Sequence, residues 1–288
     1  MNPTATILSP VNGRPGRFYC KKGSAIYYLE PTSGLIFQAY APSVADMSRY
    51  ADQEYSSGAY KKYAEARDLK IATARPRVAA VKSQASGRRL LDVGCATGFF
   101  LEAAAAEGFV VHGVEFSNVA ISLAREDIRA NIICGDVKSL VKQGIDKFDV
   151  VTAFDIIEHV QDPVQFLEDI RKILVPGGLV ALSTPDTGHF LRYLMGSKWP
   201  MLQPMQHTVL FSRRSIAALF ERCGFVEVKL ETAHKYLTLD YLGDQLATSN
   251  PTVHRLYRYL RRLLPVTFWS RAFRVNIGEF IAYARKPA

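Results

Sequence analysis

The chain has 288 residues, 48% of them hydrophobic and 22% charged, with a formal net charge of +9 at pH 7. That is the make-up of a globular protein long enough to bury one large or two modest cores, and it excludes collagen-like, disulfide-rich and wholly disordered classes. No uninterrupted apolar run reaches the length of a membrane span.

The start, MNPTATILSPVNGRPGRF, reads as a polar, Pro/Gly-rich tail and not as a signal peptide. Residues 1–45 are irregular, with β-like pieces AIYYLE and GLIFQAY separated by PTSG. Residues 46–83 are helix-rich, with Tyr50, Tyr55, Tyr60 and Tyr63 among charged residues and alanines. From residue 88 apolar strands alternate with amphipathic helices. The strands are RRLLDVG, VVHGVEF, ANIICGD, FDVVTAFDII and LVALSTP. The helices between them are FFLEAAAAEG, NVAISLARED, KSLVKQG and DPVQFLEDIRKILVPGG. A further helix, SRRSIAALFERCGF, has Ser212 as its cap, and strands VEVKLETA and EFIAYARK follow. Short strands separated by helices of about three turns predict an α/β, doubly wound parallel sheet with its ligand edge at the strand ends. The expected organisation is an N-terminal cap over 1–85 and a ligand-binding domain over 86–288. The latter carries a lid-like loop at 186–208 and a basic amphipathic insertion at 240–274 before the last strand. Cys20, Cys95, Cys134 and Cys223 have no metal-ligand spacing and read as reduced thiols of a cytoplasmic protein. No metal-ligand set is read from the sequence.

The stretch LLDVGCATGFF, residues 90–100, is a strand broken by an acid and followed by a turn of small residues. The dinucleotide fingerprint G-x-G-x-x-G needs its third glycine so that helix and strand pack closely. Counting from Gly94, that place is held by Phe99, whose ring would wedge the helix away. Small residues stand instead at alternate positions, Gly94, Ala96 and Gly98, with Asp92 just before them. This pattern resembles the glycine-rich motif of class I S-adenosylmethionine-dependent methyltransferases, with Ala96 in place of the middle glycine. FDIIEHVQDP, VPGGLVALSTPD and MQHTVLFSRRSIAALFERCGF resemble the branch that includes ubiquinone-pathway O-methyltransferases and many natural-product and surface-polysaccharide methyltransferases. The resemblance implies a Rossmann-like, seven-stranded, mostly parallel sheet whose last strand, GEFIAYARKP, runs antiparallel. It also implies S-adenosyl-L-methionine as the cofactor. Some relatives carry a cysteine-rich zinc knuckle at the N-terminus, of which only Cys20 is retained here.

Within that frame Glu115 ends the second strand, where an acceptor-only carboxylate suits the two ribose hydroxyls. Asp136 follows the third strand and faces the adenine amino group; Phe116 and Val137 adjoin these acids, and Asp155 ends the fourth strand. Each acid has a plainer reading as a helix cap or a solvated turn. Tyr60 is placed over the cofactor, or else packs one helix face on the sheet. A hydroxyl acceptor must lose a proton, and histidine is the usual agent because it titrates near working pH. His159, after the fourth strand, and His207, in the loop after the fifth, are the two candidates. His159 is alternatively a helix-start residue paired with Glu158 or Asp162, and His207 a surface loop residue.

Between Gln245 and Gly278 there are six arginines and no acidic residue. HRLYRYLRRLLP puts Leu256, Tyr259, Leu260, Leu263 and Leu264 on one helical face and Arg255, Arg258, Arg261 and Arg262 on the other. The segment either packs its leucines on the domain or lies on an anionic membrane, so a peripheral membrane contact through 255–273 stays open. Nucleic acid is disfavoured, because STPD and AFDII lack the Asn/Asp-Pro-Pro-aromatic motif of amino-methylating nucleic-acid enzymes. The expected activity is methyl transfer to a hydroxyl of a small molecule, sugar or lipid-linked intermediate. An N-methyltransferase acting on an amino sugar or amine, and a cofactor-binding partner subunit without catalysis, are the alternatives.

Overall fold

The computed structural model describes residues 6–43, 46–47, 49–50, 53, 66–241, 243, 255, 257–259, 261 and 265–288. In chain order the elements are β1 (Arg17–Lys22), β2 (Ala25–Glu30), β3 (Leu35–Gln38), α1 (Arg67–Lys82), β4 (Arg89–Val93), α2 (Phe99–Ala106) and β5 (Val110–Glu115). Then come α3 (Asn118–Ser122), α4 (Glu126–Arg129), β6 (Ile132–Cys134), α5 (Val137–Gln143), β7 (Phe148–Phe154), α6 (Pro163–Ile173) and β8 (Leu174–Pro185). The chain continues through α7 (Phe190–Met195), β9 (Val209–Leu210), α8 (Arg213–Arg222), β10 (Val226–Thr232) and β11 (Lys235–Thr238). It closes with α9 (Val266–Trp269), β12 (Ala272–Val275) and β13 (Glu279–Arg285).

Seven strands form the main sheet in the order β10-β13-β8-β7-β4-β5-β6. All pair in parallel except β13, which runs antiparallel between β8 and β10. This is the doubly wound sheet that the alternation predicts, with the antiparallel last strand that the resemblance implied. Both faces are covered because successive strand residues point opposite ways. Leu91, Val151 and Val180 bury against α5, α6 and α8, whereas their neighbours Leu90, Val150 and Ala181 bury against α1 and α2.

A second, four-stranded antiparallel sheet has the order β1-β2-β3-β9. It joins the N-terminal strands to the segment after β8, and its core includes Tyr27, Ile36, Trp199 and Leu210. Trp199, 2% exposed, anchors the loop expected to act as a lid. Gln38 ties the same loop down, its Nε2 donating to the carbonyls of Pro204 and His207 at 2.8 and 2.9 Å.

The structure departs from the sequence reading at several elements. The helix expected through Gly178 stops at Ile173, and Leu174–Pro185 is one strand. Val175 precedes Pro176, whose ring disfavours helical backbone there, and the Pro-Gly-Gly run becomes an irregularity in the β7–β8 register. The expected helix 118–127 is broken into α3 and α4. The two-stranded β11–β12 sheet was not foreseen. Tyr55, Tyr60 and Tyr63, and within the basic segment Leu256, Leu260 and 262–264, lie outside the described residues. Among the described residues no helix is long and apolar enough to cross a membrane.

Candidate active site

β4 sits where the strand order reverses, with β5 on one side and β7 on the other, and doubly wound sheets bind their ligands in the crevice at that point. The turn leaving β4 holds Gly94 at φ +70°, Ala96 at +49° and Gly98 at +75°. Left-handed backbone costs a residue with a Cβ roughly 1–2 kcal/mol, so the alternate small residues serve a backbone shape and not merely close packing. Ala96 bears that cost at a place where its N–H does useful work, donating to Glu115 Oε2 at 3.0 Å. The Ser117 N–H donates to Oε1, also at 3.0 Å. Glu115, 3% exposed, is therefore held rigidly behind the turn, and each oxygen keeps a further lone pair for a ligand hydroxyl.

A cleft open to solvent lies against the turn and is walled by α1, the start of α2, the end of β7 and β11. Of the sequence-predicted residues, Asp92, Gly94, Ala96 and Asp155 line it. Asp92 is 4% exposed. Burial raises its carboxyl to about 7, against the Thr152 hydroxyl, which donates to it at 2.6 Å.

Asp155 has φ +59°, a conformation unusual for a non-glycine residue and typical of functional turns. It is fixed by the Ser183 hydroxyl, which donates to Oδ1 at 2.6 Å, and by an ion pair with Lys235 at 3.0 Å. Burial pushes the Asp155 carboxyl up, but Lys235 and Arg77 outweigh it and hold the group below the usual range. Lys235 also pairs with Glu279 at 2.6 Å, and its own proton affinity is raised because Asp155 and Glu279 outweigh its burial. Lys70 faces the same cleft, and burial followed by the nearby Lys235 lowers it to about 8. Lys70, Arg77 and Lys235 escaped sequence reasoning. They come from α1 and β11, far from the motif, and a lone basic residue there carries no pattern.

The remaining predicted residues sit elsewhere. Asp136 caps α5, its Oδ1 accepting the Ser139 N–H at 2.8 Å in a reciprocal capping box. Val137 is buried behind it, and Phe116, 53% exposed, follows β5. His159 and His207 are brought together, ring centroids 4.8 Å apart and edge to face. The His159 Nδ1 lies 3.2 Å from the Gln206 carbonyl, and the His207 Nδ1 lies 2.7 Å from that of Met201. A carbonyl only accepts, so each Nδ1 carries the proton and each Nε2 presents a lone pair. Burial lowers both imidazoles, and the neighbouring His159 helps bring His207 to about 3. His207 is thus not the surface residue of the plainer reading: it is 5% exposed. The strap that places it is the Thr208 N–H on the Glu158 carbonyl at 2.9 Å, with the Thr208 hydroxyl on that of Val160 at 2.9 Å.

The turn and its carboxylates fit the adenosyl-methionine ligand expected from the motif. Positive-φ residues strip side chains from one wall, a buried carboxylate stands at the end of the adjacent strand, and charged groups of both signs face the cleft. The family described as a methyltransferase domain matches residues 63–230. A ubiquinone biosynthesis O-methyltransferase of Coxiella burnetii is 34% identical over 113 residues, 38% of this chain and 47% of that protein. One from Caulobacter sp. (strain K31) is 36% identical over 103 residues, 34% of this chain and 41% of that protein. The chain thus matches about half the length of these curated relatives. A solved S-adenosylmethionine-dependent methyltransferase from Archaeoglobus fulgidus shares the fold with a TM-score of 0.52 at 19% identity, covering 76% of this chain and 94% of that one. With the family match spanning more than half of its residues, the chain belongs to the methyltransferase-domain family, the S-adenosylmethionine-dependent methyltransferases.

Proposed function

We propose that this protein transfers a methyl group from S-adenosylmethionine to a hydroxyl of a small molecule, sugar or lipid-linked intermediate. The observation that carries the reading is the left-handed turn at 94–98, pinned to Glu115 and opening on a charged cleft. S-adenosylmethionine supplies a methyl group already activated on a sulfonium, so the chain's own residues bind, orient and exclude water. Glu115 accepts the ribose hydroxyls, Asp136 with Phe116 and Val137 borders the adenine, and Asp92 and Asp155 face the cationic methionine end. Residues 1–85 and the loop 186–208 frame the acceptor, a reading supported by the pairing of β3 with β9, which brings the end of that loop beside the N-terminal strands. His159 and His207 serve the acceptor proton. The names of the curated relatives favour oxygen as the methylated atom. The protein works in the cytoplasm, with segment 255–273 as the part that meets a membrane when the acceptor is lipid-linked.

The reading is tested in two steps. Calorimetry with S-adenosylhomocysteine should register stoichiometric binding. Label from methyl-labelled S-adenosylmethionine should then pass to members of a panel of phenols and sugars. Labelling of amines alone would favour the N-methyl alternative. Tight binding with no labelled product at all would favour a non-catalytic subunit.

Asp92 adds a pH signature. An acid titrating near 7 is mostly protonated at pH 6 and mostly ionised at pH 7.5. A cationic ligand favours the ionised form, so binding below pH 7 should release a proton. Affinity for S-adenosylmethionine should therefore rise about eightfold from pH 6 to 7.5, the change in ionised fraction of such a group. In Asp92→Asn the profile should be flat over that window, and calorimetry in buffers of different ionisation enthalpy reads the proton directly. A flat wild-type profile would mean that Asp92 does not face the cofactor's charge.

A further inference from the structure

α1 and β11 bring three cationic side chains to the cleft, Lys70, Arg77 and Lys235. Three acids answer them: Asp92 and Asp155 in the cleft wall, and Glu279 at 2.6 Å from Lys235. S-adenosylmethionine adds an ammonium and a sulfonium but only one carboxylate. With the donor bound, the site is therefore left with one positive charge more than it has negative ones. Asp92, which titrates near 7, widens the surplus whenever it is protonated. Like charges already press on Lys70, which burial and then the nearby Lys235 lower to about 8. Charge taken out of water without a partner is costly, and what is missing here is an anion.

Arg77 gives the surplus a place. It is 8% exposed, and its Nε and Nη2 are buried with no hydrogen-bond partner. Its ion-pair partner Glu279 lies 4.0 Å from Nη2, too far for a hydrogen bond, and that carboxylate is already held by Lys235. The guanidinium lies over the Phe154 ring, 4.8 Å from its centroid, a packing that sets the plane of the fork. Buried donors seldom stay unpaired, and a planar guanidinium is shaped to grip a carboxylate or phosphate through two parallel bonds. Lys235 supplies a further donor. Two of its three N–H groups answer Asp155 and Glu279, at 3.0 and 2.6 Å, and its side chain is 22% exposed at the cleft.

We propose that Arg77 and Lys235 form a subsite for an oxyanion, a carboxylate or phosphate carried by the methyl acceptor, with Lys70 adding to its positive field. The acceptor is then an anionic small molecule and not a neutral sugar or alcohol, a statement that rests on the methyl-transfer reading. The oxyanion anchors the acceptor while another of its atoms receives the methyl group. The donor's own carboxylate is the second source of the same chemistry, but it is already included in the charge count and leaves the surplus standing.

The test uses the full chain saturated with sinefungin, whose amine puts a positive charge where the sulfonium stands. Benzoate and phenyl phosphate serve as anionic probes and benzamide as the neutral one. Calorimetry should show the anions binding about tenfold or more tighter than benzamide, the size of a charged hydrogen bond. The preference should shrink when S-adenosylhomocysteine, which lacks that positive charge, replaces sinefungin. Arg77→Gln should abolish the preference, and Arg77→Lys, which keeps the charge but loses the fork, should keep part of it. Affinity for S-adenosylhomocysteine should be unchanged in both variants, which also shows that they fold. A wild-type protein that binds benzamide as tightly as the anions overturns the proposal. So does an Arg77→Gln protein that loses affinity for S-adenosylhomocysteine but not for 5′-methylthioadenosine, which lacks the carboxylate, because Arg77 would then hold the cofactor. Stoichiometric S-adenosylhomocysteine binding upholds the cofactor reading whichever way the probes fall, so the two failures are distinguishable.

Discussion

Replacing Lys235 with Met is expected to destabilise the protein by ~3 kcal/mol and lower its melting temperature by about 6–10 °C. Lys235 is the hub of a charge network in which its ammonium lies 2.6 Å from Glu279 and 3.0 Å from Asp155. Glu279 is 5% exposed, its Oε2 has no hydrogen-bond partner, and Arg77 Nη2 is 4.0 Å away. Once the lysine is gone, Glu279 becomes a buried charge with one distant cation, and stranding a buried charge typically costs ~3–5 kcal/mol. The lower end applies because the Asp155 side chain is 37% exposed and water screens that half of the network. The double variant Lys235→Met/Glu279→Gln should recover ~2 kcal/mol of the loss, since it removes the stranded charge along with its partner. Denaturant titration of the four proteins in this cycle gives the coupling energy. A coupling near zero would mean that Arg77 alone neutralises Glu279.

Gly94→Val should be as damaging, through the backbone and the cleft rather than through charge. Gly94 has φ +70°, where a β-branched residue is a steric outlier. A Cβ there would lie 2.2 Å from Ile156 Cδ1. The end of Ile156 can swing aside, but the backbone strain stays, and Gly94 itself lines the cleft. The expected loss is ~2–4 kcal/mol of stability from strain and overpacking. Affinity for S-adenosylhomocysteine should fall by more than ~100-fold, which is ~3 kcal/mol of binding. The two effects separate when binding is measured well below the melting temperature. A variant that melts early but binds normally would show that the turn's wall is not the cofactor's.

The tight turn after β4 was legible in the sequence because it is local. Asp92, Gly94, Ala96 and Gly98 fall within seven consecutive residues, and their spacing reports one backbone shape at one strand end. The strands were legible for a similar reason. Residues buried on both faces give short apolar runs, and those runs set the order of β4 to β8. The boundary at Ile173 was misplaced because a Pro-Gly-Gly run reads as a stop after a helix, whereas here it lies within a strand. Asp136 illustrates the intermediate case. Its position was right, but the cap it makes to Ser139 needs only the next turn of chain, so sequence could not rank that role against the adenine.

Sequence by itself determined the doubly wound sheet and the small-residue turn after β4, both set by patterns repeated within a few residues or within one strand and helix, while the antiparallel last strand followed from the family resemblance. Only the tertiary structure decided which distant groups meet. Lys235 reaches Asp155 because β10 and β13 fold back beside β8. His207 reaches His159 because Gln38 and Thr208 strap its loop to the N-terminal sheet and to the end of β7. Such meetings follow from long-range packing of the whole sheet, and no short-range periodicity records them.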